Sequence, residues 1–342
     1  KEDAIKWSFE FLTDKEVGLG LNKDRIYVTV FEGDENAPRD DEAFDIWKKY
    51  LPENRIYFLP AKNNWWSAGE NGPCGPDTEI FYNTNEFALG DMTHDEFVKA
   101  DDEGRVIEIW NNVFMQYEKK EGKVIGKLAQ HNVDTGMGLE RIAMVSQGVK
   151  TVFDTDLFTS ILEKIKSLSS LRDERMERII ADHLRTVVFL IGDGVLFGNT
   201  GREYILRRLL RRVVRFSDKL GINNGSLGEI ADIIISKYKN AYSKLEIYEN
   251  LIKGEINKEE IKFRQTLEKG LKEFENGVDP FILFTTYGFP IELTLELAKE
   301  KGVEIDINDF NIKLKEHQEL SRTASAGMFK GGLANHSEKT IR

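Results

Sequence analysis

Ten consecutive residues, Asn132-Val133-Asp134-Thr135-Gly136-Met137-Gly138-Leu139-Glu140-Arg141, place a carboxylate, two glycines and an arginine where a strand-like run gives way to a helical period. Glycines at such a junction let a ligand approach the backbone closely, and the unpaired N–H groups of a helix start suit an anion. Asp134 could hold an ammonium group. Arg141, one turn into the helix, could reach a phosphate with its planar fork. The same residues also describe a strand-to-helix turn with an N-cap aspartate and a solvated arginine, and spacing alone leaves both readings open.

A second cluster runs from Trp65 and Trp66 through Gly72-Pro73-Cys74-Gly75-Pro76. Two Gly-Pro steps are expected to make a rigid turn that fixes one wall of a pocket, with a tryptophan face closing it; a surface loop anchored by a core aromatic is the alternative. Trp110-Asn111-Asn112-Val113 has the same ambiguity, except that a buried asparagine must find partners. The third feature is electrostatic. Arg202, Arg207, Arg208, Arg211, Arg212 and Arg215 are opposed locally only by Glu203, a charge of +5 that leaves −16 on the rest of a chain whose net charge is −11. Ile205-Leu206, Leu209-Leu210 and Val213-Val214 alternate with the arginine pairs, which on a helix gives one apolar and one arginine face. Arginine rather than lysine favours phosphate or base-edge contacts. The competing reading is a helix whose arginines pair with acidic neighbours inside the molecule.

The five histidines show no paired metal-ligand spacing, so no metal is expected, and no P-loop or nucleophile elbow is present. The single cysteine, Cys74, rules out an internal disulfide and fits a reducing compartment; with no targeting segment visible, the cytoplasm is expected. The apolar run from Val187 to Phe197 is interrupted by Asp193 and neighbouring glycines, too short for a membrane span. The excess of 59 acidic over 48 basic residues argues against a surface that coats polyanions as a whole, so any such partner must be met locally.

These residues need elements to hold them. In the first half, Arg25 to Phe31, Arg55 to Leu59, Thr78 to Tyr82 and Val106 to Tyr117 read as strands separated by loops, which predicts an antiparallel or mixed sheet in an α+β unit over residues 1–155. From about Asp156 the apolar period becomes 3.6, predicting an all-helical domain over 156–320. It includes one or two helices between Glu246 and Phe274, a turn at Tyr287-Gly288-Phe289-Pro290, and a helix from near Glu292. Residues 321–342 lose periodicity and gain glycine, which suggests a linker.

Taken together, Trp65 to Tyr82, Glu108 to Tyr117, Asn132 to Arg141, Ala181 to Phe216, Thr286 to Leu293 and Ala326 to Glu338 resemble the alanyl-tRNA synthetases in type, order and approximate spacing, over nearly the whole chain. Asp134 to Arg141 looks like that family's form of the third class II synthetase motif. The resemblance implies a class II synthetase sheet, incomplete here, followed by a helical tRNA-recognition domain. It implies activation of alanine by ATP with Mg²⁺, then transfer of the alanyl group to the 3′ end of tRNA(Ala). On it, Trp66, Asn111, Val113, Asp134 and Gly136 would bind alanine, and Gly138 and Arg141 would bind ATP. Asn199, Arg202, Arg207, Arg208, Arg211, Arg212, Arg215 and Thr285 would meet the tRNA acceptor stem. Where relatives carry an aspartate as companion to this asparagine, the chain has Thr285, which can hydrogen-bond but brings no negative charge. Zinc would belong only to an editing domain whose histidines are not in this sequence. The family's first two motifs would precede the residues matching Lys1 onward, so the chain alone is expected to be inactive. A degenerate synthetase-like tRNA-binding protein without ligase activity is the alternative.

Overall fold

In the computed structural model, residues 1–85 and 89–329 are described, and the chain divides into two compact units, Lys1–Thr159 and Ser160–Arg342. The strands all fall in the first unit: β1 (Ile26–Phe31), β2 (Ile56–Leu59), β3 (Trp65–Ser67), β4 (Gly72–Asn83), β5 (Val106–Lys120) and β6 (Lys123–Gly136). Around them lie α1 (Glu2–Thr13), α2 (Asp41–Trp47), α3 (Ala61–Asn64), α4 (His94–Asp102) and α5 (Leu139–Gln147). The sheet order is β2-β1-β4-β5-β6, with β3 paired to the start of β4. Strands β1 and β2 are parallel because α2 carries the chain back between them, and the remaining pairings are antiparallel. The α+β architecture is as expected, with a sheet that is mixed at one edge.

The two faces of this sheet are covered unequally. On one face Ile5, Phe9 and Leu12 of α1 and Ala43, Ile46 and Trp47 of α2 pack on Ile26, Val28, Val30, Ile80 and Phe114. On the other, Phe97 and Ala100 of α4 join a smaller cluster with Tyr27, Tyr57, Leu59, Phe81, Met92 and Val106. Strand β1 is therefore buried along its whole length, whereas β6 is exposed over most of its residues. Continuous apolar character in β1 and mixed character in β6 follow from that difference. A two-residue turn at Glu121 (φ 49°) and Gly122 (φ 77°) joins β5 to β6, the left-handed pair that a tight hairpin requires.

The two Gly-Pro steps do not make a turn. They lie inside β4, where the register with β5 slips between Cys74 and Asp77. Pro76 sits in that irregularity, so its missing N–H interrupts no regular ladder there. A Cβ on Gly75 would lie 2.0 Å from the Phe114 carbonyl oxygen, so the close approach of β5 requires glycine. The sequence pattern signals a turn because a bulged strand needs the same residue types.

The second unit is helical: α6 (Thr159–Leu168), α7 (Glu174–Gly192), α8 (Gly201–Lys219), α9 (Leu227–Tyr238), α10 (Lys244–Ile247), α11 (Glu249–Glu275), α12 (Pro280–Thr285), α13 (Ile291–Lys301) and α14 (Ile307–Phe329). Its buried apolar residues include Leu184, Val187 and Val188 of α7, Leu206, Leu210 and Val213 of α8, Ile230 and Ile234 of α9, and Ile252, Ile256 and Phe263 of α11. A Cβ at Gly270 would fall 2.2 Å from the Phe289 ring, so this glycine lets the turn before α13 seat against α11. Residues 321–329, expected to be linker, are instead the last turns of α14, and 330–342 lie outside the described residues. Among the described residues no helix is long and apolar enough to cross a membrane.

Candidate active site

Residues directly opposed on antiparallel strands turn their side chains to the same face. Val113 of β5 is opposed by Asp77 on β4 and Asp134 on β6; Asn111 is opposed by Glu79 and Gly136. This register gathers two rows of polar residues on the face that α4 leaves open. Trp66, Asn111, Val113, Asp134, Gly136 and Gly138, with Glu108 and Met137, line one depression of about 290 Å³. The sequence-predicted residues of three separate segments thus converge. A larger cavity of about 680 Å³ in the second unit, lined by Phe274, Phe281, Val303, Ile305 and Phe310, holds none of them.

The rim of the depression is the start of α5. Gly138 is its N-cap, with φ −76° and no side chain to cap the first N–H groups, so Asp134 is not the cap. A Cβ on Gly136 would meet nothing within 4 Å, and one on Gly138 only the Arg141 side chain. Protein packing therefore does not require either glycine; the space above them is open to a ligand. Arg141 donates to the Glu108 carboxylate at 2.7 Å and to the Glu108 main-chain carbonyl at 2.9 Å. Its guanidinium thus stands at the edge of the depression, held by a carboxylate that lines it.

The neighbouring asparagines do different things. Asn112 is fully buried on the opposite face, donating to Ser8 Oγ at 3.1 Å and accepting from Thr135 Oγ1 at 2.7 Å, while Trp110 Nε1 donates to the same threonine. Asn111 turns to the depression, and its Oδ1 is buried without a partner.

Sequence reasoning missed the carboxylates behind this face. Burial pushes Asp77 up to about 7, helped by repulsion from Glu108 and opposed by hydrogen bonds from Asn64 and Asn111. Glu79 is pushed up to about 8 by burial, then by the charges of Glu108, Asp77 and Asp101, with Arg141 opposing. Burial also raises Asp101. The alternation Asp77-Thr78-Glu79 in a strand-like run was the available signal, but only the pairing register brings it beside Asn111. Among the described residues no group of three or more His, Cys, Asp or Glu is arranged to hold a metal ion.

In the second unit the arginines of α8 are engaged within the protein. Arg207 and Arg211 share Glu259 of α11 at 3.1 and 3.0 Å; Arg208 pairs with Glu292, Arg212 with Glu296, and Arg215 with Glu296 and Glu300 of α13. Arg215 is 2% exposed, and burial lowers the Arg211 guanidinium. Arg211 also donates to the Gly288 carbonyl at 2.8 Å, and Arg207 to Asn199. The side chains of Arg202 and Arg208 remain 76% and 42% exposed. Thr285 turns its hydroxyl back to the Phe281 carbonyl at 2.8 Å. Of the two readings of the arginine helix, pairing with acidic neighbours describes the geometry of Arg207, Arg211, Arg212 and Arg215.

The family model for tRNA synthetases class II (A) matches residues 1–341. The chain is 45% identical to the alanine–tRNA ligase of Treponema denticola over 364 residues, 99% of this chain and 60% of that protein. It is 41% identical to the alanine–tRNA ligase of Borrelia hermsii over 366 residues, 100% of this chain and 60% of that protein. With the alanine–tRNA ligase of Thermotoga maritima it shares 42% identity over 342 residues, 95% of this chain and 38% of that protein. The chain thus spans about 60% of the length of the first two.

Proposed function

The chain belongs to the class II tRNA synthetase family, and on that premise we propose that the protein is an alanine–tRNA ligase and that the depression on the open sheet face is its amino-acid site. The observation that carries this reading is the convergence of Trp66, Asn111, Val113, Asp134 and Gly136 on one small concavity bordered by an uncapped helix start. The names of the relatives supply the amino acid.

Asp134 accepts from the alanine ammonium. Trp66 and Val113 wall the methyl group, and Gly136 keeps the backbone open for close approach. An alanine carboxylate oxygen attacks the α-phosphorus of ATP and displaces pyrophosphate; the terminal ribose hydroxyl of tRNA then attacks the alanyl carbonyl and displaces AMP. The protein's part in such steps is positioning and charge stabilisation. The first N–H groups of α5, beginning at Gly138, suit an anion there, and Arg141 exchanges its Glu108 partner for an ATP phosphate. Mg²⁺ is commonly held by one or two carboxylates plus substrate phosphates. Glu79 and Glu108, which repel each other across β4 and β5, fit that role, and the ion would neutralise phosphate charge. A methyl-sized pocket separates alanine from glycine by only about 1–3 kcal/mol. For the tRNA acceptor stem, Asn199, Arg202 and Arg208 are the most exposed of the α8-region candidates, and Thr285 has a hydroxyl without charge that donates to the Phe281 carbonyl.

Alanine-dependent exchange of pyrophosphate into ATP, run on the full-length protein against a panel of amino acids, tests the assignment. Exchange that is strongest with alanine is expected. Exchange led by another amino acid, or tRNA binding with no adenylate formed, overturns it in favour of a different ligase or a synthetase-like binding protein.

A further inference from the structure

The cavity of about 680 Å³ in the helical unit shares no residue with the depression on the sheet face. Four stretches of chain enclose it: the end of α11, the start of α12, the connection between α13 and α14, and the first turn of α14. Its walls are apolar, formed by Phe274, Val278, Phe281, Val303, Ile305 and Phe310. Phe310 is 3% exposed and meets the Phe281 and Phe284 rings edge-on at 6.4 and 5.6 Å, which fixes the floor. Val303 is 52% exposed, so the apolar wall continues to an open mouth. Small-molecule sites are concavities of about 300–1,000 Å³ with mostly apolar walls and a few placed polar groups, and this one has that size and lining.

The polar groups of the cavity are nearly all of one sign. Glu275, Asp279, Glu304, Asp306 and Asp309 line it, and among the described residues of the lining Lys301 is the one cation. Lys301 pairs with Glu275 at 2.9 Å, and that contact holds the Glu275 carboxyl below its usual range. Lys313, outside the lining, reaches Asp279 at 2.8 Å and Asp309 at 2.7 Å, and lowers Asp279 in the same way. Five carboxylates therefore meet two ammonium groups, an excess of three negative charges beside an apolar surface. We propose that this cavity binds a small organic cation, an amine or guanidine on an aromatic or aliphatic body, with the body against Phe274, Phe281 and Phe310 and the cation at the carboxylate rim. Ring faces also attract a cation, as Lys301 Nζ shows by standing 6.0 Å from the Phe274 centroid. The same rim repels an anion of equal size, so selectivity comes from charge and affinity from the apolar body. Enclosure by four stretches around a ligand-sized volume favours a small molecule over a partner chain. The inference is independent of the amino-acid site assigned above.

The test titrates full-length protein with a matched pair of probes, 4-phenylbutylamine and 4-phenylbutanoate, by calorimetry at low ionic strength. The amine should saturate a site, with the carboxylate at least about tenfold weaker, the scale of replacing an attractive charge by a repulsive one. Val303→Arg sets a guanidinium in the mouth from an exposed position, and amine affinity should fall about tenfold with the thermal melt unchanged. Glu304→Gln, on the exposed rim, should weaken the amine about threefold, the scale of one solvent-exposed charge. No saturable amine binding, equal binding of the two probes, or an amine affinity untouched by Val303→Arg would overturn the proposal. Should Val303→Arg lower the melt, Glu304→Gln decides instead, and an unchanged amine affinity there overturns it equally.

Discussion

The open sheet face and helix α8 both gather charged residues, and they handle charge in opposite ways. On α8 Arg207, Arg208, Arg211, Arg212 and Arg215 each have a carboxylate within 3.1 Å, drawn from Glu259, Glu292, Glu296 and Glu300. On the sheet face Asp77, Glu79 and Asp101 are all raised by burial, with Arg141 the cation that opposes at Glu79 and Asp101. On α8 the charges are compensated by carboxylates of neighbouring helices; on the sheet face burial holds the carboxyl groups toward their protonated forms instead. The comparison teaches that a dense run of one charge in sequence is a weaker pointer to a ligand than a few like charges that the fold leaves without partners.

The largest expected effect comes from breaking compensation on α8. Glu259→Ala removes the carboxylate shared by Arg207 and Arg211, and loss of one partner of a buried pair costs about 3–5 kcal/mol; calorimetry or denaturant melts of the helical unit should show it. A change below about 1 kcal/mol would mean the ladder is ornamental and α8 is available to a polyanion. Next is the uncompensated side. Asp134→Ala should lower kcat/KM for alanine about 100-fold, the scale of losing an ionic partner for an ammonium, while ATP affinity changes little. Equal loss of both would contradict its role.

A third test sharpens the comparison within α8. If exposure rather than arginine content decides RNA binding, Arg202→Ala with Arg208→Ala should weaken tRNA affinity several-fold and flatten its salt dependence by about 0.9 for each phosphate no longer neutralised. Titrations at two salt concentrations read this directly. The smallest effect is on pH dependence. The folded Asp77 and Glu79 keep protons to about 7 and 8, whereas unfolded carboxylates release them near pH ~4. The folded state therefore binds more protons in between, and stability of the first unit falls as pH rises from about 5 to 8. Glu79→Gln should flatten that slope and raise the melting temperature at pH 8; an unchanged slope would show that Glu79 is already compensated.

How much of this was legible depended on range. The Asp134 to Arg141 stretch could be read because its chemistry and its strand-to-helix geometry lie within one short segment, and the alternation of Ile26, Val28 and Val30 marked β1 as surely. The Gly-Pro steps were misread because bulge and turn draw on the same residues. Asp77 and Asn64 went unseen because nothing local distinguishes them from loop and strand polar residues; their meaning comes from strand register and from α3 folding over β4. The arginine face was visible, but its partners on α11 and α13 were not, since a helical period tells which side a residue occupies and not what is packed there.

The sequence by itself determined the class of fold, the change from strand to helix near residue 156, the motif that opens α5 and the charge of α8, because these follow from composition and from periods of 2 and 3.6. Only the tertiary structure decided which charges are satisfied. Pairing register sets which side chains share a face, and helix packing sets which carboxylates reach which guanidinia, and both join residues far apart in the chain whose encounter no local pattern encodes.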